Sequence, residues 1–232
     1  LGIPTTRSLA IVTTGEEVYR ETTLPGAILT RIASSHIRVG TFQYFMATQD
    51  TDSIKLLADY VIERHYPQAR AEKYPYEALL SAIADKQALL VAKWMHVGFI
   101  HGVMNTDNTA ISGETIDYGP CAFMDEYDLD TVFSSIDRGG RYAYGNQGYI
   151  AEWNLVRLAE CLLGLFNPNQ DHALDVAKKI IATFRPTFER YWLEGMCLKM
   201  GITNIRGGDD SLLQDLLDLM KKYQADYTLS FR

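Results

Sequence analysis

A long apolar helix near the middle of the chain is the feature that most constrains the fold. Between residues 79 and 98, apolar side chains recur at helical spacing around most of the circumference of this helix, which starts near Pro75 and runs to about His101. A helix that is apolar on most sides must be covered on most sides by other elements. Because 47% of the 232 residues are apolar, the chain can supply one large domain or two small ones. We therefore expect this helix at the centre of the domain.

The first 40 residues differ in pattern from the rest of the chain. Residues 8–33 contain β-branched runs separated by a Gly-Glu pair and a Pro-Gly pair, which predicts three short antiparallel strands. From residue 41 onward the periodicity is helical. Helices are predicted over residues 52–65, 75–101, 151–166, 171–184, 186–199 and 211–223. The sequence thus predicts an α+β fold, with a few N-terminal strands leading into a mainly helical lobe.

A cluster of polar residues follows the central helix, in the run HGVMNTDNTAISGETIDYGP at residues 101–120. Two short strands around Gly113 are predicted within it, forming a hairpin. The spacing matches the catalytic loop, hairpin and metal-binding Asp of kinase-type phosphotransferases. His101 takes the place of the anchor, Asn108 that of the metal-binding Asn, and Asp117 opens an Asp-x-Gly motif.

The catalytic Asp of kinases has no counterpart here, because the matching position is Val103, which can neither accept nor orient a proton. An acid stands instead at Asp107, directly before Asn108. Magnesium takes oxygen ligands and usually only one or two carboxylates, so Asn108 and Asp117 are an adequate protein share of a magnesium–nucleotide site. Taken singly, an Asp-Asn pair and an Asp-Tyr-Gly-Pro run are ordinary turn sequences. Their joint spacing favours a kinase-like site with rearranged chemistry.

Charge and hydropathy exclude several classes of function. The chain carries 22 Lys and Arg against 29 Asp and Glu, a net charge of −7, which repels nucleic acids. No run reaches the roughly 18 apolar residues that a membrane helix needs. The sequence contains neither GxGxxG nor a Walker A motif, and its three cysteines form no CxxC pair. We expect a soluble protein with no nucleic-acid or membrane partner, cytoplasmic, or mitochondrial if the source is eukaryotic.

Five long runs carry a specific resemblance to a known family. They are TRIASSHIRVGTFQYF (30–45), HGVMNTDN (101–108), TIDYGP (115–120), GRYAYGNQ (140–147) and WNLVRLAE (153–160). Together they resemble the selenoprotein O family, also called SelO or YdiU, and the similarity continues to the ADYTLSFR run that ends at residue 232. The resemblance covers essentially the whole chain, whereas the chain covers only a middle portion of the family.

The resemblance implies a protein-kinase-like fold and transfer of AMP from ATP to Ser, Thr or Tyr hydroxyls of other proteins. It also implies a flipped nucleotide, with Mg²⁺ or Mn²⁺ as cofactor. Carried over by motif, Asp107 would be the catalytic base, and Asn108 and Asp117 the metal ligands. Arg31 and Arg38 match two family arginines implied to hold the γ-phosphate, a task to which guanidinium groups are suited. The implied partners are ATP and protein substrates.

The family's Gly-rich phosphate loop and its Lys-Glu ion pair lie upstream of Leu1, and its redox-active tail lies downstream of Arg232. We therefore expect a fragment of a single kinase-like domain that is inactive alone. Residues 1–40 would be the strand-rich end of its small lobe, and residues 41–232 its mostly helical large lobe.

Within the chain, residues 121–122, residues 131–137 and Gly148 depart from the family pattern, in or near the loop after Asp117. Two other activities remain open. One is an ordinary kinase that uses Asp107 and transfers the γ-phosphate, against which Val103 counts. The other is a nucleotide-binding pseudokinase scaffold without turnover.

Overall fold

The N-terminal part of the chain is a long β-hairpin. The computed structural model describes residues 2–232, in which β1 (Arg7–Tyr19) pairs antiparallel with β2 (Thr23–Ile32). Three strands were predicted over residues 8–33, and that prediction is wrong in number. Strand β1 continues through Gly15 because the extra residues are absorbed as an irregularity in the register rather than by a turn. Nearly all side chains of the hairpin are exposed.

Seven α-helices make up most of the rest of the described residues, together with a short strand pair, Phe99–Ile100 with Ala122–Phe123, which confirms the predicted α+β class. They are α1 (Val39–Ala47), α2 (Thr51–His65), α3 (Pro75–His96), α4 (Gln147–Phe166), α5 (Gln170–Ala182), α6 (Phe184–Lys199) and α7 (Asp209–Lys222). Helix α3 is central, as expected, and packs against α4, α5 and α6. Of the helices in the described part of the chain, none combines the length and hydropathy that crossing a bilayer requires.

Two helix boundaries differ from prediction by four or five residues, and one whole helix was not predicted. Helix α3 ends at His96 because Gly98 takes a positive φ of 67°, which no helix continues through. Helix α4 starts at Gln147, four residues earlier than predicted. Helix α1 was not predicted, because its first turn contains Gly40 and Thr41, which favour helices poorly, and Arg38 precedes it without capping it through a side-chain oxygen.

The predicted hairpin around Gly113 is not formed, which corrects the sequence-based expectation of a catalytic hairpin. Gly113 does make a turn, with its N–H bonded to Ala110 O at 3.1 Å. The two arms then diverge: Ala110 bridges antiparallel to Arg38, and Thr115 bridges parallel to Thr5. Turn signals are local, whereas strand partners are decided by the rest of the fold, so the arms pair with other segments.

Buried amide side chains hold the irregular segment that follows α3. Gln147 is fully buried, and its Oε1 accepts from His101 N while its Nε2 donates to Phe99 O, both at 3.0 Å. Gln87, from α3, donates to Ala110 O at 2.6 Å. Backbone groups inside a core must find such partners, since an unpaired one costs the full desolvation free energy. The two glutamines therefore determine where this segment lies.

Replacing Gln147 by Ala would leave His101 N–H and Phe99 C=O without partners in the interior. We expect the free energy of unfolding to fall by about 1–3 kcal/mol, measured by chemical denaturation. Gln214→Ala, at an exposed position of α7, is the matched control and should stay within about 0.5 kcal/mol of wild type. Equal stability of the two variants would contradict this account of the segment.

Candidate active site

The two residues predicted to be metal ligands are in direct contact. Asn108 Nδ2 donates to Asp117 Oδ2 at 2.8 Å and to Val103 O at 2.9 Å. These two bonds use the amide nitrogen and so orient the Asn108 carbonyl oxygen away from both acceptors. Side chains that are nine positions apart in the sequence are therefore in direct contact at the surface.

Asp117 has a backbone conformation that non-glycine residues rarely adopt. Its φ is 58°, in the left-handed region, and such residues cluster at functional sites because the surrounding structure must hold them there. Two bonds hold the preceding residues: His101 Nε2 donates to Ile116 O at 2.7 Å, and Trp94 Nε1 donates to Thr115 Oγ1 at 2.9 Å. The direction of the Asp117 side chain is thus determined by buried neighbours.

His101 occupies the predicted anchor position and is fully buried. Burial lowers the pKa of its imidazole, so the ring is neutral at pH 7. A neutral ring has one donor nitrogen and one acceptor nitrogen. Here Nε2 donates to Ile116 O, while Nδ1 accepts from Val103 N at 3.4 Å. His101 therefore joins the start of the loop to the residue before Asp117.

Asp107 lies in a short 3₁₀ turn, Thr106–Asn108, with its side chain exposed. The turn rests on α4 through Asn154, which is fully buried. Asn154 Nδ2 donates to Met104 O at 3.0 Å and to Thr109 Oγ1 at 2.8 Å, on either side of the turn. The predicted base and the predicted ligand beside it are thus positioned by one buried amide.

The start of α1 lies against the same turn. Val39 N donates to Thr109 O at 3.0 Å, and Ile111 N donates to Ile37 O at 3.0 Å. Arg38, between these bonds, has its backbone bridged to Ala110 and its side chain exposed. The structure therefore brings Arg38 to the segment that carries Asp107.

Arg31 reaches the site from the N-terminal hairpin. Its guanidinium carbon lies 5.5 Å from the centre of the Tyr118 ring, a cation–π contact. Tyr118 directly follows Asp117, and its hydroxyl is hydrogen-bonded to Thr5 Oγ1. Neither Arg31 nor Arg38 forms a salt bridge within residues 2–232. Both guanidinium groups are therefore available to bind an anion.

The positioning roles of Gln147 and Asn154 were missed in the sequence, although both lie in the runs GRYAYGNQ and WNLVRLAE. One signal was present. Asn154 stands among apolar residues on the inward face of a predicted helix, and a buried amide needs a hydrogen-bond partner. Its partners lie 50 and 45 residues away, so the sequence alone does not identify them.

The types of side chain at the candidate site limit which metal ion it could bind. Across residues 2–232, no group of three or more His, Cys, Asp or Glu side chains could hold a metal ion. The candidate site consists of the Asn108 amide and the Asp117 carboxylate, which are oxygen donors only. Such a pair suits Mg²⁺ or Mn²⁺, which share their coordination with phosphate oxygens and water, and does not suit a structural zinc site.

Comparison with known proteins agrees with the resemblance noted above. The family model described as "Protein adenylyltransferase SelO" matches residues 1–232. Three proteins each named "Protein nucleotidyltransferase YdiU" are similar: 61% identical over 232 residues in Rhizobium rhizogenes, 61% over 231 in Bacillus cytotoxicus and 62% over 232 in Bradyrhizobium diazoefficiens. These matches cover all of this chain, but only 46%, 47% and 47% of the length of the three relatives, respectively. The chain thus spans about half the length of these relatives, and it belongs to the SelO family.

Proposed function

We propose that this chain is the part of a protein adenylyltransferase that carries the metal ligands and the base. The complete enzyme moves AMP from ATP to Ser, Thr or Tyr hydroxyls of protein substrates. In this proposal residues 1–40 and 41–232 belong to the small and large lobes of one kinase-like domain. The observation that carries it is the contact between Asn108 and Asp117, with Asp107 directly before Asn108 in the chain. Family membership supports it.

The residues present fit a divalent metal ion. Among residues 2–232, no group donates a hydrogen bond to Oδ1 of Asn108 or to Oδ1 of Asp117, so each residue has an oxygen free for coordination. A magnesium or manganese ion bound there supplies positive charge that offsets the charge of the nucleotide phosphates. Asn108 and Asp117 would hold that ion, and their mutual hydrogen bond would keep them together before it binds.

Asp107 is placed to act on the substrate hydroxyl. Its side chain is exposed and accepts no hydrogen bond from residues 2–232, so no donor within these residues competes with the substrate proton for the carboxylate. In the proposed step the hydroxyl oxygen bonds to the α-phosphorus of ATP while Asp107 takes the hydroxyl proton. The bond from the α-phosphorus to the β-bridging oxygen breaks, and pyrophosphate leaves.

Arg31 and Arg38 would hold the pyrophosphate end of a flipped nucleotide. Both are exposed and without salt bridges in the described residues, which leaves their positive charge for phosphate. Guanidinium groups bind phosphate through paired N–H donors, and that binding stabilises the charge on the leaving group. A kinase with the nucleotide in the ordinary orientation would instead transfer the γ-phosphate, using the same metal ligands.

Label transfer tests the proposed reaction and the role of Asp107. With the full-length protein, we expect label from α-labelled ATP, and not from γ-labelled ATP, to become covalent on protein substrates. Asp107→Asn should lower that transfer about 100-fold or more, because general bases contribute factors of this size, and should leave Mg-ATP affinity within about twofold. The control is Asp210→Asn, at an exposed site on α7. Covalent γ-label would identify a kinase, and binding without either label would identify a scaffold.

A second prediction concerns the metal ligands. Asn108→Ala and Asp117→Asn should each weaken Mg-ATP binding at least about tenfold, since the first removes an oxygen ligand and the second removes the negative charge of the other ligand. Asn is used at position 117 because it tolerates the left-handed backbone conformation found there. Titration calorimetry with and without magnesium measures the effect, and Asn204→Ala in an exposed loop is the control. Unchanged affinity in both variants would rule out the metal assignment.

A third prediction concerns the orientation of the nucleotide. Arg31→Ala and Arg38→Ala should weaken ATP binding about tenfold or more while changing AMP binding little, because the γ-phosphate is the group they would hold. The control is Arg20→Ala, near the exposed turn of the hairpin. Competition binding with ATP and AMP gives both affinities. An equal loss for the two nucleotides would contradict the flipped orientation.

A further inference from the structure

Gly40, the second residue of α1, touches the carboxyl group of Asp107 at a distance that leaves no room for a side chain. A Cβ added at Gly40 would lie 2.2 Å from Asp107 Oδ1, 3.0 Å from Cγ and 3.4 Å from Cα. Atoms that are not bonded to each other do not approach to 2.2 Å. The Asp107 side chain therefore occupies the space that any other residue at position 40 would fill.

The backbone itself does not require a glycine at this position. Gly40 is helical and is absent from the glycines with positive φ, so an L-residue could adopt its conformation. Glycine in a helix costs up to about 1 kcal/mol relative to alanine. That cost is offset by nothing in α1 alone. The requirement for glycine comes from the close approach of Asp107.

The backbone at the start of α1 and the backbone of the turn that carries Asp107 cannot move away from each other. Val39 N, next to Gly40, is bonded to Thr109 O, and the turn that carries Asp107 is fixed to α4 by Asn154. A methyl group at position 40 would therefore be accommodated by rotation of the Asp107 side chain, the least constrained group at the contact. Such a rotation would move the carboxylate oxygens from the place that they hold against Gly40.

We infer that Gly40 is a positioning residue. Because it has no side chain, the Asp107 carboxylate can lie in the orientation that accepts the substrate proton. This inference rests on the proposed role of Asp107 as base. Gly40 touches neither of the two proposed metal ligands through the contacts above. Its effect should therefore fall on the transfer step and not on the binding of Mg-ATP.

The test is Gly40→Ala in the full-length protein. We expect kcat for α-label transfer to fall about 10- to 100-fold, because a misplacement of about 1 Å in a catalytic group has effects of this size. The dissociation constant of Mg-ATP should stay within about twofold of wild type. The matched control is Gly164→Ala in α4, where an added Cβ meets nothing within 4 Å, and its kcat should not change.

Two further measurements separate positioning from a general loss of structure. In the Asp107→Ala background, adding Gly40→Ala should lower kcat no further, since the group on which it acts is gone. If Gly40→Ala alone lowers the melting temperature, the double variant should regain it, because the atoms that clash with the methyl group have been removed. A further fall in kcat, or a melting temperature that is not regained, would overturn the inference.

Failure of this inference can be told apart from failure of the proposed function. Wild-type kcat in Gly40→Ala, together with an inactive Asp107→Ala, would overturn the role of Gly40 and leave Asp107 as the base. Wild-type kcat in Asp107→Ala would contradict the base itself, and the inference about Gly40 would be overturned with it.

Discussion

The geometry of the candidate site depends on how the buried backbone between residues 99 and 117 satisfies its hydrogen bonds. This segment has almost no regular structure, so it pairs only a few of its N–H and C=O groups internally. Backbone groups of residues 4–39 pair with some of the others, and buried side chains pair with more: Gln87 on α3, Gln147 and Asn154 on α4, and Tyr66 after α2, whose hydroxyl donates to Ile111 O. Each unmade bond would cost about 1–3 kcal/mol, so the segment is held in one arrangement.

At the candidate site, exposed carboxylates stand next to buried residues of the same segment. Asp107 and Asp117 present their carboxylates to solvent, while the residues that flank them, such as Thr109 and Ile116, are buried. The left-handed conformation of Asp117 costs of the order of 1–3 kcal/mol. The bond from His101 to Ile116 O, next to it, contributes about 0.5–1.5 kcal/mol in return. The orientation of these side chains is thus provided by the interior.

The sequence predicted most helices and the meeting of Asn108 with Asp117, because apolar periodicity and motif spacing are both local patterns. It failed where long-range contacts decide the structure. The turn at Gly113 was recognised, but its arms pair with Thr5 and Arg38. Helix α1 was missed because Gly40 weakens the local helical signal, and the reason for that glycine, contact with Asp107, lies 67 residues away (107 − 40). The preference against glycine in helices is thus overridden by a contact between distant residues.

The candidate site has an oxygen-donor face, formed by Asn108 and Asp117, and a cationic face, which includes Arg31. The two faces meet at consecutive residues. Asp117 contacts Asn108, on the oxygen-donor side, and Tyr118 contacts Arg31, on the cationic side. Arg31 belongs to a hairpin whose side chains are nearly all exposed, and an exposed cation–π contact contributes only about 0.5–1 kcal/mol. The cationic face is therefore held much more weakly than the oxygen face. A ligand with phosphates that engaged both faces would add a constraint that the Arg31 side chain lacks, and residues 117 and 118 would link the position of Arg31 to that of the proposed metal ligands.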